Sequence, residues 1–229
     1  MSENRDLDKE YAKRRKDKSH SFHFRLERRT LEVIMSIEKY FLGKPIKILD
    51  IGAADGLMLG EIKKRFPDSE CVGVDNSKEL IAANKDQNIK IIEGDAENLP
   101  FSENSFDVVV AAAIIEHLDN PEKMLEEARR VLKRGGIFIV TSPNPFFDKL
   151  GRVAGWLKRD RFLKGEKHNI MFNLKKLKEY FKKADFEIVY AGRFMFSHMK
   201  APGGMKIEKF LKIIRFDFIF LNQVIVGKK

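Results

Sequence analysis

The chain has 229 residues, 43% of them hydrophobic and 34% charged, with a net charge of +10. This much apolar surface excludes a purely disordered chain, and the length suits one domain with decoration. A single cysteine, Cys71, excludes a disulfide framework and a cysteine-based zinc centre. The polar, charge-dense start is not a secretory signal. No run of about 18 apolar residues reads as a membrane span, so a cytoplasmic location is the expectation. The charge is uneven, at +4 over Met1–Arg29, −7 over Thr30–Asp148 and +13 over Lys149–Lys229. A basic final third suits either an anionic partner or lysine-rich solvated helix faces.

Residues 1–20 have no apolar periodicity and read as a mobile basic tail. A helix is predicted from Phe24 to Leu42, with Leu26, Leu31, Ile34 and Met35 at helical spacing. Ile46–Ile51 reads as a buried strand that ends in Gly52-Ala53-Ala54-Asp55-Gly56, with a helix from Leu57 to Phe66 after it. Strands follow at Cys71–Asp75, Ile89–Glu93 and Phe106–Ala111, with a helix from the Asn76-Ser77 cap through Lys85 between the first two. Asn120 and Pro121 open the next helix, with Met124, Leu125, Ala128, Val131 and Leu132 as its apolar stripe and Gly135-Gly136 as its stop. A fifth strand spans Ile137–Thr141. After Pro143 the alternation breaks into a segment, 144–172, that mixes aromatic and basic residues. Asn173 then caps a helix to Ala184. A strand over Phe186–Ala191, a connecting segment and a last strand over Phe218–Val226 complete the reading. Repeated strand–helix alternation with short connections predicts an α/β fold, a doubly wound Rossmann-like sheet of about seven strands with helices on both faces.

The Gly52–Gly56 turn between strand and helix lets a ligand approach the backbone, and the helix start adds unpaired N–H donors. Asp75, 19 residues after Gly56 at the end of the second strand, can accept both hydroxyls of a ribose. The glycine spacing is Gly52, Gly56, Gly60 rather than G-x-G-x-x-G, and Asp55 would repel phosphates. A cationic nucleoside without phosphates fits better than a dinucleotide. In these motifs the chain resembles the class I S-adenosylmethionine-dependent methyltransferases, near the methyltransferase type 11 group. The resemblance is strong over 46–142. It rests on Asp50–Gly56 (with Ala54 where the family usually has Gly), Val72–Ser77, Glu93–Phe101, Phe106–Val110 with Ile115–Leu118, and Val131–Gly136.

The resemblance implies a single methyltransferase domain over 21–229, with 144–172 as a substrate-side insertion or lid and the last strand antiparallel. It implies S-adenosyl-L-methionine as cofactor. Gly52, Ala53 and Gly56 would line the methionine part, with Asp50 orienting the loop. Asp75 beside Asn76 would hold the ribose, Asp95 and Ala96 the adenine edge, and Ala111 or Ala112 would lie beneath. For a hydroxyl acceptor the candidate bases are His117, after the fourth strand, and His168, before the helix capped by Asn173. His20, His23 and Tyr11 could belong to a segment closing over the cofactor. No metal-ligand cluster stands out, and no N-P-P-Y-type motif follows strand four.

The expected activity is methyl transfer to a small or amphiphilic acceptor such as a quinone precursor, lipid or metabolite. The alternatives are transfer to RNA or another polyanion, or an NAD(P)-binding oxidoreductase. Trp156, Leu157, Phe162 and Leu163 among basic residues would suit peripheral contact with an anionic membrane surface. Nucleic acid ranks below this because no RNA-binding module is present.

Overall fold

The computed structural model describes residues 20–146, 170–195 and 203–229. The tail expected over 1–20, apart from the backbone of His20, and most of the 144–172 segment lie outside them.

Among the described residues, seven strands form one sheet in the order β3-β2-β1-β4-β5-β7-β6. The strands are β1 (Lys47–Ile51), β2 (Glu70–Asp75), β3 (Lys90–Glu93), β4 (Phe106–Ala112), β5 (Leu132–Pro143), β6 (Glu187–Phe194) and β7 (Asn222–Lys228). The first five are parallel, and β7 runs antiparallel to both neighbours. The central strands carry near-continuous apolar runs because both faces of the sheet are covered. Ile48, Leu49, Ile51, Val108, Val109 and Val110 are all fully buried.

One face packs against α4 (Pro121–Val131) and α5 (Leu174–Lys183) through Met124, Leu125, Ala128, Leu177 and Phe181. The other packs against α1 (His20–Phe41) and α2 (Leu57–Arg65) through Val33, Ile37, Met58, Leu59 and Ile62. A short α3 (Lys78–Ala82) joins β2 to β3, and α6 (Gly204–Ile213) stands between β6 and β7. Among the described residues no helix is long and apolar enough to cross a membrane.

Local chemistry sets the boundaries. The side chains of Ser77, Asn120 and Asn173 each accept a backbone N–H in the first turn that follows. α3 stops short of Lys85 because Asn84 folds the chain back. Its amide donates to the carbonyls of Asp86 and Ile89, and its oxygen accepts from Asp86 N–H. α4 ends at Val131, ahead of the glycine pair expected to stop it. Leu132 is already extended, with ψ 139, and pairs with Phe106. Among the described residues of α1 the buried apolar side chains are Val33 and Ile37, whereas Met35, placed on the apolar stripe from sequence, is half exposed. The expected connecting segment contains α6. The start expected for the last strand is instead a 3-10 turn, Asp217–Ile219, ahead of β7.

Candidate nucleoside site at the carboxyl ends of the strands

Strand order reverses between β1 and β4, the place where open α/β sheets bind ligands. The strands end level there. Ile51 lies between Val74 of β2 and Ala111 of β4, and Ala112 lies beside Thr141 of β5. The loop after β1 is held tightly. Gly52 N–H and Ala53 N–H both donate to Val74 O, at 2.8 and 3.1 Å, and Gly56 N–H donates to Ala53 O at 2.8 Å. Gly52 and Gly56 have φ of +75 and +78, where a side chain is strained. A Cβ on Gly52 would lie 2.6 Å from Ile114 Cδ1. Ala54 also adopts a left-handed conformation, φ +50, at the position where glycine was the family expectation.

Asp75 accounts for that conformation. Its carboxylate, 9% exposed, accepts Ala54 N–H at 2.7 Å through one oxygen and Ser77 N–H at 2.9 Å through the other. The ribose candidate therefore also clamps the glycine loop to the start of α3. Asp50 is 3% exposed at the end of β1. Burial, reinforced by the charge of Asp75, pushes its carboxyl up to about 8. Near neutral pH the Asp75 carboxylate thus carries its charge beside this loop while Asp50 keeps its proton, a setting that favours a cationic ligand and disfavours a pyrophosphate. The residues present fit the sulfonium nucleoside that the resemblance implies.

The other predicted residues fall around this loop. Asp95 is exposed and accepts Glu97 N–H at 2.8 Å, whereas Ala96 is buried against the core. Asn76 is exposed beside Asp75. Ala53 is buried, Ala111 is wholly within the core, and Ala112 is half-buried at the mouth. His117 ends the 3-10 turn Ile115–His117 after β4 and is half-buried. His23 is exposed on the first turn of α1, edge-on to Phe22. His168, Tyr11 and Trp156 lie outside the described residues, as does the side chain of His20. Cys71 is buried within β2, its thiol pushed up to about 11 by burial. Among the described residues no cluster of His, Cys, Asp and Glu could hold a metal ion.

The structure adds residues that the sequence reading passed over. Ile114 closes under Gly52, and Glu116, 1% exposed, anchors the turn by accepting Ile170 N–H through its backbone carbonyl. A charged residue in the apolar run Ile114-Ile115 was the available signal. Behind the mouth, the fully buried Gln223 amide donates to Ser142 Oγ, Pro143 O and Phe172 O, tying β7 to the end of β5 and to the entry of α5.

Residues 49–140 match the family model of a methyltransferase domain. The fold is shared with an S-adenosylmethionine-dependent methyltransferase from Mesorhizobium loti, at a TM-score of 0.62 and 14% identity, over 86% of this chain and 96% of that one. Among curated relatives, the demethylmenaquinone methyltransferase of Thermotoga maritima is 32% identical over 49% of this chain and 48% of its own length. The 2-methyl-6-phytyl-1,4-hydroquinone methyltransferase 2 of Oryza sativa is 31% identical over 64% of this chain and 40% of its own. The chain spans about half the length of these relatives or less.

Proposed function

We propose that the chain binds S-adenosylmethionine and transfers its methyl group to an amphiphilic aromatic acceptor of the hydroquinone kind; the match of residues 49–140 to a methyltransferase-domain model supports the cofactor. The observation that carries the cofactor half is the Asp75 carboxylate. It is nearly buried and bridges the glycine loop and the start of α3 at the switch point of the sheet. The acceptor half is supported by the names of the two quinone-related relatives.

When bound, the cofactor supplies a methyl group already activated on a sulfonium, so the chain's task is alignment and exclusion of water. The Gly52–Gly56 backbone would admit the methionine part, and the Asp75 carboxylate would set a negative potential beside its cationic centres while Asp50 keeps its proton. Asp75 would hold the ribose hydroxyls, and Asp95 with the Ala96 N–H would read the adenine edge. Ile114, packed against Gly52, would help exclude water from this end of the loop. His117 takes the proton of an acceptor hydroxyl as the nucleophile forms. His168 is the second candidate for that proton.

Titration calorimetry with S-adenosylmethionine, S-adenosylhomocysteine and NAD tests the cofactor assignment. Binding of the first two, none of NAD, and loss of binding in Asp75→Ala is the expected outcome. NAD binding would overturn the assignment in favour of an oxidoreductase. Transfer of labelled methyl to a prenylated hydroquinone, read by partition into organic solvent, tests the acceptor. Nuclease-sensitive label from a cell extract with none in the organic phase would overturn the acceptor assignment and point to RNA.

A further inference from the structure

The segment between β6 and β7 is built inside out. In α6 the buried side chain is a glutamate, Glu208, 7% exposed. Both its oxygens accept from Arg28 Nη2 of α1, at 3.1 and 3.0 Å, and Lys212 lies 3.7 Å away. The outward side carries Phe210 and Ile213, which are 59% and 76% exposed, and Met205 in the first turn is 61% exposed. At 3.6 residues per turn, Lys206, Lys209, Phe210 and Ile213 share the face opposite Glu208. The apolar surface continues past the helix through Phe216 and Phe218, which stack edge-on with ring centroids 4.7 Å apart. Phe146 packs edge-on to Phe218. Single exposed apolar residues need no explanation, but a continuous patch from a helix into the following turn marks an interaction surface.

Charge identifies what the surface meets. Both acidic residues of this segment are engaged by cations from elsewhere in the fold, Glu208 by Arg28 and Asp217 by Arg193 at 3.6 Å. Lys206, Lys209 and Arg215 remain exposed among the apolar residues. Lysine is depleted from the cores of protein interfaces, because burying its ammonium is costly. At a bilayer the stem lies along the acyl boundary while the ammonium reaches anionic headgroups.

The patch also stands at the end of the sheet that carries the nucleoside site. Asn144, just past β5, donates its amide to Phe218 O at 2.9 Å and Phe220 O at 2.7 Å. β7 then begins at Asn222, opposite Pro143.

We propose that the outer face of α6 and the Phe216–Phe218 turn dock on an anionic lipid surface. Docking holds the site's end of the sheet against the layer in which an amphiphilic acceptor would reside. It goes beyond the proposed activity and stands without it, because membrane attachment requires no methyl transfer.

Flotation of the full chain with phosphatidylcholine vesicles, with and without phosphatidylglycerol, tests it. Binding to the anionic vesicles alone is expected, weakening as salt is raised. The pair Phe210→Ser and Ile213→Ser should weaken it by roughly tenfold or more, and Lys206→Glu with Lys209→Glu by a similar factor. These positions are exposed, so both variants should keep the wild-type urea midpoint. Wild-type binding to neither vesicle would overturn the proposal, as would variants that bind like wild type. A wild-type dimer in velocity sedimentation that Phe210→Ser with Ile213→Ser converts to monomer would also overturn it, by making the patch a face between two copies of the chain.

Discussion

Replacing Asp50 by asparagine should flatten the pH dependence of stability. The ordinary value of its carboxyl is 3.8, and burial beside Asp75 carries it to about 8. Between those limits the folded chain holds a proton that the unfolded chain has released. The folded state therefore binds more protons, so stability falls as pH rises through the window and levels off above the folded value. Each pH unit inside the window corresponds to about 1.4 kcal/mol, so the step from pH 5 to pH 7 lowers stability by about 3 kcal/mol through this one group. Asparagine keeps the shape and has no proton to lose. Urea unfolding of both proteins at pH 5, 6 and 7, without cofactor, measures the difference. The variant should gain about 3 kcal/mol relative to wild type across that range. Parallel profiles would refute the reasoning, because they would mean that Asp50 is hydrated or already ionised in the folded protein.

Three further substitutions probe the site and its supports. Gly52→Ala should destabilise by about 2 kcal/mol and abolish S-adenosylhomocysteine binding, because it places a Cβ against Ile114 at positive φ. Ala54→Gly should do the reverse, raising the urea midpoint by the equivalent of about 1 kcal/mol, since glycine takes φ +50 without the strain alanine carries there and keeps the N–H that Asp75 accepts. Glu208→Ala should cost about 3 kcal/mol by leaving Arg28 buried without its bidentate partner, whereas Arg28→Met with Glu208→Leu should stay within about 1 kcal/mol of wild type. Chemical denaturation of the single and double variants separates those two outcomes.

Much of this arrangement can be read locally. The strands from β1 to β5 announce themselves by apolar runs, and Asn120-Pro121 and Asn173 carry their caps in their own chemistry. Gly52, Gly56 and Asp75 were legible because a tight turn and a strand-end carboxylate are demanded by one short stretch of chain. α6 was not legible, since its buried face is polar and its outer face apolar. That inverts the periodicity by which amphipathic helices are recognised, and the reason is Arg28, 180 residues away. The stop of α4 was misplaced for a similar reason. Gly135-Gly136 is a good terminator, but Phe106 offers Leu132 a strand partner first. Nor could sequence show that Asp75 already accepts Ala54 N–H of the glycine loop through one oxygen and Ser77 N–H through the other.

The placement of β7 imposes an order on synthesis. β6 leaves the ribosome before β7, yet it pairs with β7 alone, and β7 inserts between β5 and β6. Until Asn222–Lys228 is made, the open edge of β5 presents Ile137–Val140 with unpaired backbone groups, and β6 has no partner in the sheet. Such an edge invites pairing with other chains, and closing it requires contacts distant in sequence, which form slowly. A nascent chain stalled before β7 is therefore the species most exposed to aggregation and to chaperone capture.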